Sequence, residues 1–235
     1  MIDMVRANRL KLFQPNLKRK NKLDNYLESI GGTVYTNLIS QGPDTGRAMS
    51  SYFSGESPWN NGCDTRIKWP GSFLNSNLKT NIDLFNSYGY KQIFFSDPNA
   101  RVALFPKEFL LHKYNNQISL GNFVEDINLS NDCHFFVALS DFHWGIDDFG
   151  PNLMGEKLGY SKTINSLSIL FNKFEPNTFD YIFIFSDHGF KFGRDYKKEK
   201  KKNKLYLYNE DRVRPILFIR EKDQKGIIEC NKLIT

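Results

Sequence analysis

The apolar run Phe183-Ile184-Phe185 stops on Ser186-Asp187-His188-Gly189. Tyr181 to Phe185 is uncharged, aromatic and β-branched, which predicts a strand buried on both faces of a parallel sheet. In open α/β sheets, ligands collect just beyond the carboxyl ends of such strands. A carboxylate beside an imidazole at that point, followed by a glycine that lets the chain turn, has the donor types of a divalent-cation corner. The plain alternative is a strand end with a solvated Asp and a chance His. Convergence with other segments has to decide between them.

Three other segments carry chemistry. Asp3 lies in the opening run Met1 to Leu10, which also holds Arg6 and Arg9. In Ser40-Gln41-Gly42-Pro43-Asp44-Thr45-Gly46-Arg47 a strand passes through a Gly/Pro turn to a Thr at the mouth of a helix. Free N–H groups and the dipole at a helix N-terminus favour an anion and lower the cost of an alkoxide at Thr45. Alternatively, Thr45 is simply an N-cap. Asp141-Phe142-His143-Trp144 follows a predicted strand, so its side chains are expected to face the same crevice. His143 acts there on substrate or packs on Trp144. Asp147 and Asp148 are expected in solvent, Arg47 either pairs with a phosphate or lies on the surface, and His112 and His134 are assigned to structure.

The elements that must position these residues alternate. Helices are predicted over Asp24 to Ser29, Ala48 to Phe53, Leu78 to Tyr88 (capped by Asn77) and Leu158 to Phe174. Strands are predicted over Val34 to Ile39, Gln92 to Ser96, His134 to Leu139 and Tyr181 to Phe185. Val213 to Ile219 is a further strand, with Pro215 near its start at a sheet edge. The stretches Glu56 to Pro70 and Trp144 to Lys157 are expected to be loops. This order predicts a single α/β domain over 1–235.

Composition sets the outer bounds. With 235 residues and 21 Phe the chain can fill a sizeable core, which argues against global disorder. No apolar run approaches the roughly 18 residues of a transmembrane helix, and the first twenty residues lack a signal-peptide h-region. Three cysteines, Cys63, Cys133 and Cys230, have no metal-ligand spacing, so a cytoplasmic or peripheral-membrane location is expected. The net charge of +6 is concentrated at Lys18-Arg19-Lys20 and in the run from Lys197 to Lys204. Such runs form solvated loops or basic lips for anions, and no nucleic-acid module accompanies them.

Taken in order, the segments resemble the alkaline-phosphatase and sulfatase superfamily. They are nearest to members that transfer phospho groups with a Thr nucleophile, such as lipoteichoic-acid synthases and phosphoethanolamine transferases. Asp3-x-x-Arg6-Ala7-x-x-Leu10 looks like the opening metal aspartate and its following Arg. Asn37 to Gly55 looks like the nucleophile segment, with Thr45 ten residues before the glycine. Tyr160 to Phe174 resembles the helix before the last metal strand, and Ser186-Asp187-His188-Gly189 matches the metal pair. Asp211-Arg212-Val213-Arg214-Pro215-Ile216 looks like the strand that follows.

The resemblance implies a three-layer α/β/α fold with a mostly parallel central sheet, shortened at the N-terminus and lacking the C-terminal subdomain. It implies one divalent ion (Mn, Zn, Mg or Ca) held by Asp3, Asp187, His188 and Thr45, with Thr45 as nucleophile. His143 would be the acid on the leaving oxygen, and Arg47 and Asp141 would meet the substrate. The implied reaction is phosphoryl or phospho-alcohol transfer, or hydrolysis, on an anionic phosphate ester of a glycan or lipid head group. Departures matter too. The Cys-x-Pro-x-Arg frame of sulfatases is replaced by Thr45, Arg47 and Met49, and no histidine follows His188 for a second zinc. A short N-terminal strand would leave a sheet position poorly paired. The second reading is therefore a degenerate, non-catalytic domain that binds anionic glycans or a protein partner. Sulfuric-ester hydrolysis is third.

Overall fold

The computed structural model describes residues 1–64, 74–75, 77–96, 119–129, 132–191 and 210–235. Helices are α1 (Lys22–Ile30), α2 (Thr45–Ser54), α3 (Pro58–Asn61), α4 (Asn81–Ser87), α5 (Leu120–Asp126), α6 (Asp141–Phe149), α7 (Leu153–Lys173) and α8 (Glu210–Val213). Strands are β1 (Gly32–Tyr35), β2 (Lys91–Ser96), β3 (Cys133–Ala138), β4 (Tyr181–Phe185), β5 (Leu217–Glu221) and β6 (Ile227–Cys230). Most starts are written locally. Asn21 and Asp24 cap α1 reciprocally, and Thr80 and Asp83 do the same for α4.

Two sheets form the middle layer. One runs β4-β5-β1-β6 and the other pairs β2 with β3 in parallel. Residues Met1 to Asp3 lie between them. Met1 N donates to Val137 O at 2.8 Å, Leu139 N to Met1 O at 3.0 Å and Asp3 N to Leu139 O at 2.9 Å. On the other side Ile2 N donates to Phe185 O at 2.8 Å. The expected poorly paired sheet position is therefore bonded on both flanks, and Asp3 is delivered to the ends of β3 and β4.

Helices cover both faces. On one, α1, α6 and α7 bury Leu23, Leu27, Phe142 and Leu167 against Val34, Ile182, Ile184 and Phe218 of the sheet. On the same side α5 packs Val124 against Leu170 of α7 and Phe174 just beyond it, beside Phe135 and Val137. On the other, α2 and α4 set Met49, Phe53 and Ile82 on Phe94, Phe136 and Phe185. The result is the α/β/α layering expected, with ladders of both senses. β5 runs antiparallel to β4 and to β1, whereas β1 runs parallel to β6.

Several expectations need correction. β4 is buried on one face only: Ile182 and Ile184 point into the core, while Tyr181 is 59% and Phe183 54% exposed. An uncharged aromatic run looks the same in sequence whether one face or both are covered. The segment 144–157 is not a loop but most of α6 and the first turn of α7. A Cβ on Gly145 would lie 2.6 Å from Gly159 Cα, so this glycine lets two helices touch rather than ending one. Residues 210–213 form the short α8, and the strand predicted from Val213 begins at Leu217 instead. Pro215 sits in an isolated antiparallel bridge with Arg6. α4 starts at Asn81 behind Thr80 rather than behind Asn77, and Pro58–Asn61 is helical within a predicted loop. His112, the run 197–204 and residues 65–70 lie outside the described residues. Among the described residues no helix is long and apolar enough to cross a membrane.

Candidate active site

Three chain segments meet at one end of the central layer. Asp187 and His188 follow β4, Asp3 follows the spliced N-terminal segment, and Thr45 opens α2. Asp3, Asp187 and His188 are 8%, 4% and 6% exposed. Each offers a ligand atom, and these atoms all lie within 4.8 Å of one another. His188 Nε2 stands 3.7 Å from Asp3 Oδ1 and 3.6 Å from Asp187 Oδ2. Both of those carboxylate oxygens are buried without a hydrogen-bond partner. Buried anionic oxygens left so are costly, and a shared cation is what such a set fits.

The imidazole is oriented for the task. His188 Nδ1 lies 2.6 Å from Gly189 O. That bond assigns the proton to Nδ1 and leaves the Nε2 lone pair facing the carboxylates. Thr45 Oγ1 is 3.2 Å from the same Nε2. Thr45 is not an N-cap: Asp44 holds that position and accepts the Arg47 N–H at 3.2 Å. The hydroxyl is thus free to face the cluster.

Local bonds hold these parts in register. Ser40 Oγ lies 2.7 Å from Asp187 O and accepts from Gly42 N at 3.2 Å, tying the turn before Thr45 to the Asp187–His188 pair. Met4 has φ +69°, unusual for a residue with a side chain, and its N–H donates to Asp187 Oδ1 at 3.3 Å. Backbone strain beside a ligand set marks a place where geometry is over-determined. Neither Ser40 nor Met4 stood out in sequence, since a lone Ser and Met give no signal of their own.

His143 reaches the cluster through Asp3. Its Nδ1 is 2.7 Å from Asp3 Oδ2, and its Nε2 is 3.2 Å from Asp147 Oδ2 on the solvent side. Its ring also lies 6.2 Å from that of Trp144, inclined by 22°. The packing on Trp144 is thus present, and Asp147, expected in solvent, is half-exposed but paired. Burial alone would lower the His143 pKa. The bond to Asp3 and the charges of Asp3 and Asp147 outweigh it and raise the value to about 9. Burial likewise pushes Asp3 upward, but the bond and charge of His143 hold its carboxyl below the usual range. Asp187 goes the other way: burial and the neighbouring Asp3 charge raise it, against the opposing pull of His188.

The remaining candidates are peripheral. Asp141 sits in the first turn of α6 behind Ser140. Arg47 is not on the surface. It is 7% exposed, bonded to Asp44 and, through Nε, to Asp64 at 2.9 Å.

No protein-family model matches the chain, and no curated protein matches it in sequence. Solved structures do match in fold. A protein of the alkaline phosphatase superfamily from Vibrio parahaemolyticus aligns with a TM-score of 0.66 at 13% identity, covering 99% of this chain and 61% of its own. The C-terminal periplasmic domain of phosphoethanolamine transferase EptC from Campylobacter jejuni aligns at 0.59 and 16%, covering 94% and 78%. The corresponding Escherichia coli EptC domain, in a complex with Zn, aligns at 0.63 and 11%, covering 95% and 72%. The chain therefore has the alkaline-phosphatase-like α/β/α fold that this superfamily shares. It spans between 61% and 78% of the lengths of these three neighbours.

Proposed function

We propose that this chain binds one divalent cation and uses Thr45 as the nucleophile of a phospho-transfer or phosphodiester-cleaving reaction. The observation that carries the reading is the pair of buried, unpartnered oxygens, Asp3 Oδ1 and Asp187 Oδ2, facing His188 Nε2 with the Thr45 hydroxyl alongside. Two carboxylates, one imidazole and a hydroxyl suit Mn²⁺, Zn²⁺ or Mg²⁺, and the Zn complex of a fold neighbour supports a cation of that kind. When bound, the cation lowers the hydroxyl pKa and offsets charge on the phosphate.

The chain's own groups do the rest. Asp3, Asp187 and His188 hold the cation, and the Nδ1–H bond to Gly189 keeps His188 turned toward it. Thr45 Oγ, its proton given up to solvent, attacks phosphorus as the bond to the leaving alcohol breaks, which leaves the phospho group on Thr45. In the cation-free protein His143, raised to about 9 by Asp3 and Asp147, is protonated at neutral pH, and its Nε2–H points at Asp147 near solvent. A leaving oxygen that takes the place of Asp147 receives that proton. Water or an acceptor hydroxyl then removes the phospho group from Thr45.

Sulfate-ester hydrolysis is disfavoured because Thr cannot supply the aldehyde hydrate that sulfatases use. A binding-only site is the second reading, and one observation favours it. The guanidinium of Arg47 is already paired with Asp44 and Asp64, which weakens its pull on a substrate anion.

The test compares an activated phosphodiester with the matching sulfate ester at saturating Mn²⁺ or Zn²⁺. Wild type should cleave the former only. Thr45→Ala should lose turnover by several orders of magnitude, while Thr45→Ser keeps a measurable rate. Turnover by Thr45→Ala at the wild-type rate would remove the nucleophile, and inert wild type with every metal would leave the binding reading.

A further inference from the structure

We infer that Arg6 is the positioning residue of the metal corner: it sets the Asp3 segment in register with the Asp187–His188 turn. The inference rests on the metal reading above and deepens it. The problem Arg6 addresses is geometric, because the ligands come from opposite ends of the chain. The backbone does not join the two segments directly past His188. Instead, residues 211–215 run between them. Ala7 N donates to Arg214 O at 3.0 Å on one side, and Gly189 N donates to Arg212 O at 2.7 Å on the other.

The Arg6 side chain spans that gap. It is 2% exposed. Nη1 donates to Phe190 O at 3.2 Å and pairs with Asp211 Oδ1 at 3.0 Å, while Nη2 pairs with Glu156 Oε1 of α7 at 3.2 Å. Its guanidinium carbon lies 4.5 Å from the centre of the Phe190 ring. The stem is equally close to the turn: a Cβ added at Gly189 would stand 2.8 Å from Arg6 Cγ and 2.0 Å from Asp211 O. One side chain, three residues after Asp3, therefore lies against Gly189 and bonds the carbonyl of Phe190, the two residues that follow His188.

Charge does not explain this placement. Arg6 and Arg9 face Glu156 and Asp211, two cations against two carboxylates, so the network neutralises itself. Its influence on the corner is through position rather than through field. A planar fork can serve Phe190, Asp211 and Glu156 at once, and the point charge of a lysine cannot.

The network also divides usefully. Asp211 clamps Arg6 on the side of the His188 turn, and Glu156 anchors it to α7. Residues that orient metal ligands from behind typically cost 10–100-fold in affinity when changed. Mn²⁺ affinity of the full chain, measured by titration calorimetry beside the metal-free melting temperature, separates the two sides. Arg6→Lys and Asp211→Asn should each weaken Mn²⁺ binding by about tenfold or more. Glu156→Gln should lower the melting temperature yet leave Mn²⁺ affinity within about twofold, because it spares the contacts to Phe190 and Asp211. A merely structural Arg6 would give the opposite pattern, with stability changed and affinity equal to wild type in all three. If Arg6→Lys does not fold, Asp211→Asn decides, since the Asp211 side chain is itself 33% exposed and its change leaves the core untouched. Wild-type affinity in Asp211→Asn would overturn the inference while sparing the metal site. Failure of wild type to bind Mn²⁺ would overturn both.

Discussion

Thr45 and Asp44 are adjacent polar residues with different work, and the difference can be measured. Asp44 caps α2 and holds the buried Arg47, whereas Thr45 contributes a hydroxyl that points at His188. In the metal-free protein Asp44→Ala should cost at least about 1 kcal/mol, the usual value of a lost cap, with the broken ion pair added. Thr45→Ala should fall within about 0.5 kcal/mol of wild type, as surface-type changes do. Urea unfolding of both variants checks this, and a larger loss for Thr45→Ala would make it a structural residue after all. At this scale much of the site was legible. An acid-imidazole-glycine stop after an apolar strand, and a Thr after a Gly/Pro turn, are local signals, and the structure brings both together with Asp3. The bond from His143 to Asp3 was not legible, since it joins α6 to the N-terminal segment. The Arg6–Glu156–Asp211 network depends on folding in the same way.

The elements show where local rules mislead. Gly145, Gly150 and Gly155 fall in a stretch expected to be a loop, yet Gly145 and Gly159 are the contact where α6 crosses α7. The Cβ of an alanine at Gly159 would lie 2.9 Å from a ring carbon of Phe142. That crossing fixes the angle of α6 and so the reach of His143. Most other helices and strands were readable from period and caps, but α5 and β6 were not predicted and β1 begins and ends earlier than Val34 to Ile39. Ladder sense was not readable either, because pairing partners are distant in the chain. His134 on β3 gives an element-scale prediction. It stacks on Phe85 at 4.4 Å and binds Gln92, and burial lowers its pKa from 6.5 to about 4. The unfolded chain therefore takes up a proton that the folded chain refuses between those values. Its contribution is present above pH 6.5 and is lost as pH falls toward 4. His134→Phe, which keeps a ring on Phe85, should show a shallower loss of stability across that window than wild type. Parallel stability-against-pH curves would refute the assignment.

For the molecule as a whole, the candidate cation site brings together three pieces from distant parts of the chain. Asp3 belongs to the segment that splices the two sheets, Asp187 and His188 end β4, and Thr45 begins the helix that covers the opposite face from α7. In the absence of a cation burial raises the Asp187 pKa, and repulsion from the neighbouring Asp3 carboxylate adds to that rise. A cation that binds only the folded chain relieves that repulsion and stabilises by mass action. At about one hundred times its dissociation constant the gain is about 2.7 kcal/mol. For a chain of 235 residues each kcal/mol moves the melting temperature by about 2–4 °C. Saturating Mn²⁺ or Zn²⁺ should therefore raise the melting temperature by about 5–10 °C, and a chelator should reverse it. Because the raised Asp187 carboxyl must lose its proton to act as a ligand, the shift should shrink as pH falls. Asp187→Ala and His188→Ala should abolish the shift rather than merely lower the starting temperature. A metal-induced shift of equal size in wild type and both variants would place the cation elsewhere on the chain, and with it the claim that these three pieces are held by one ion.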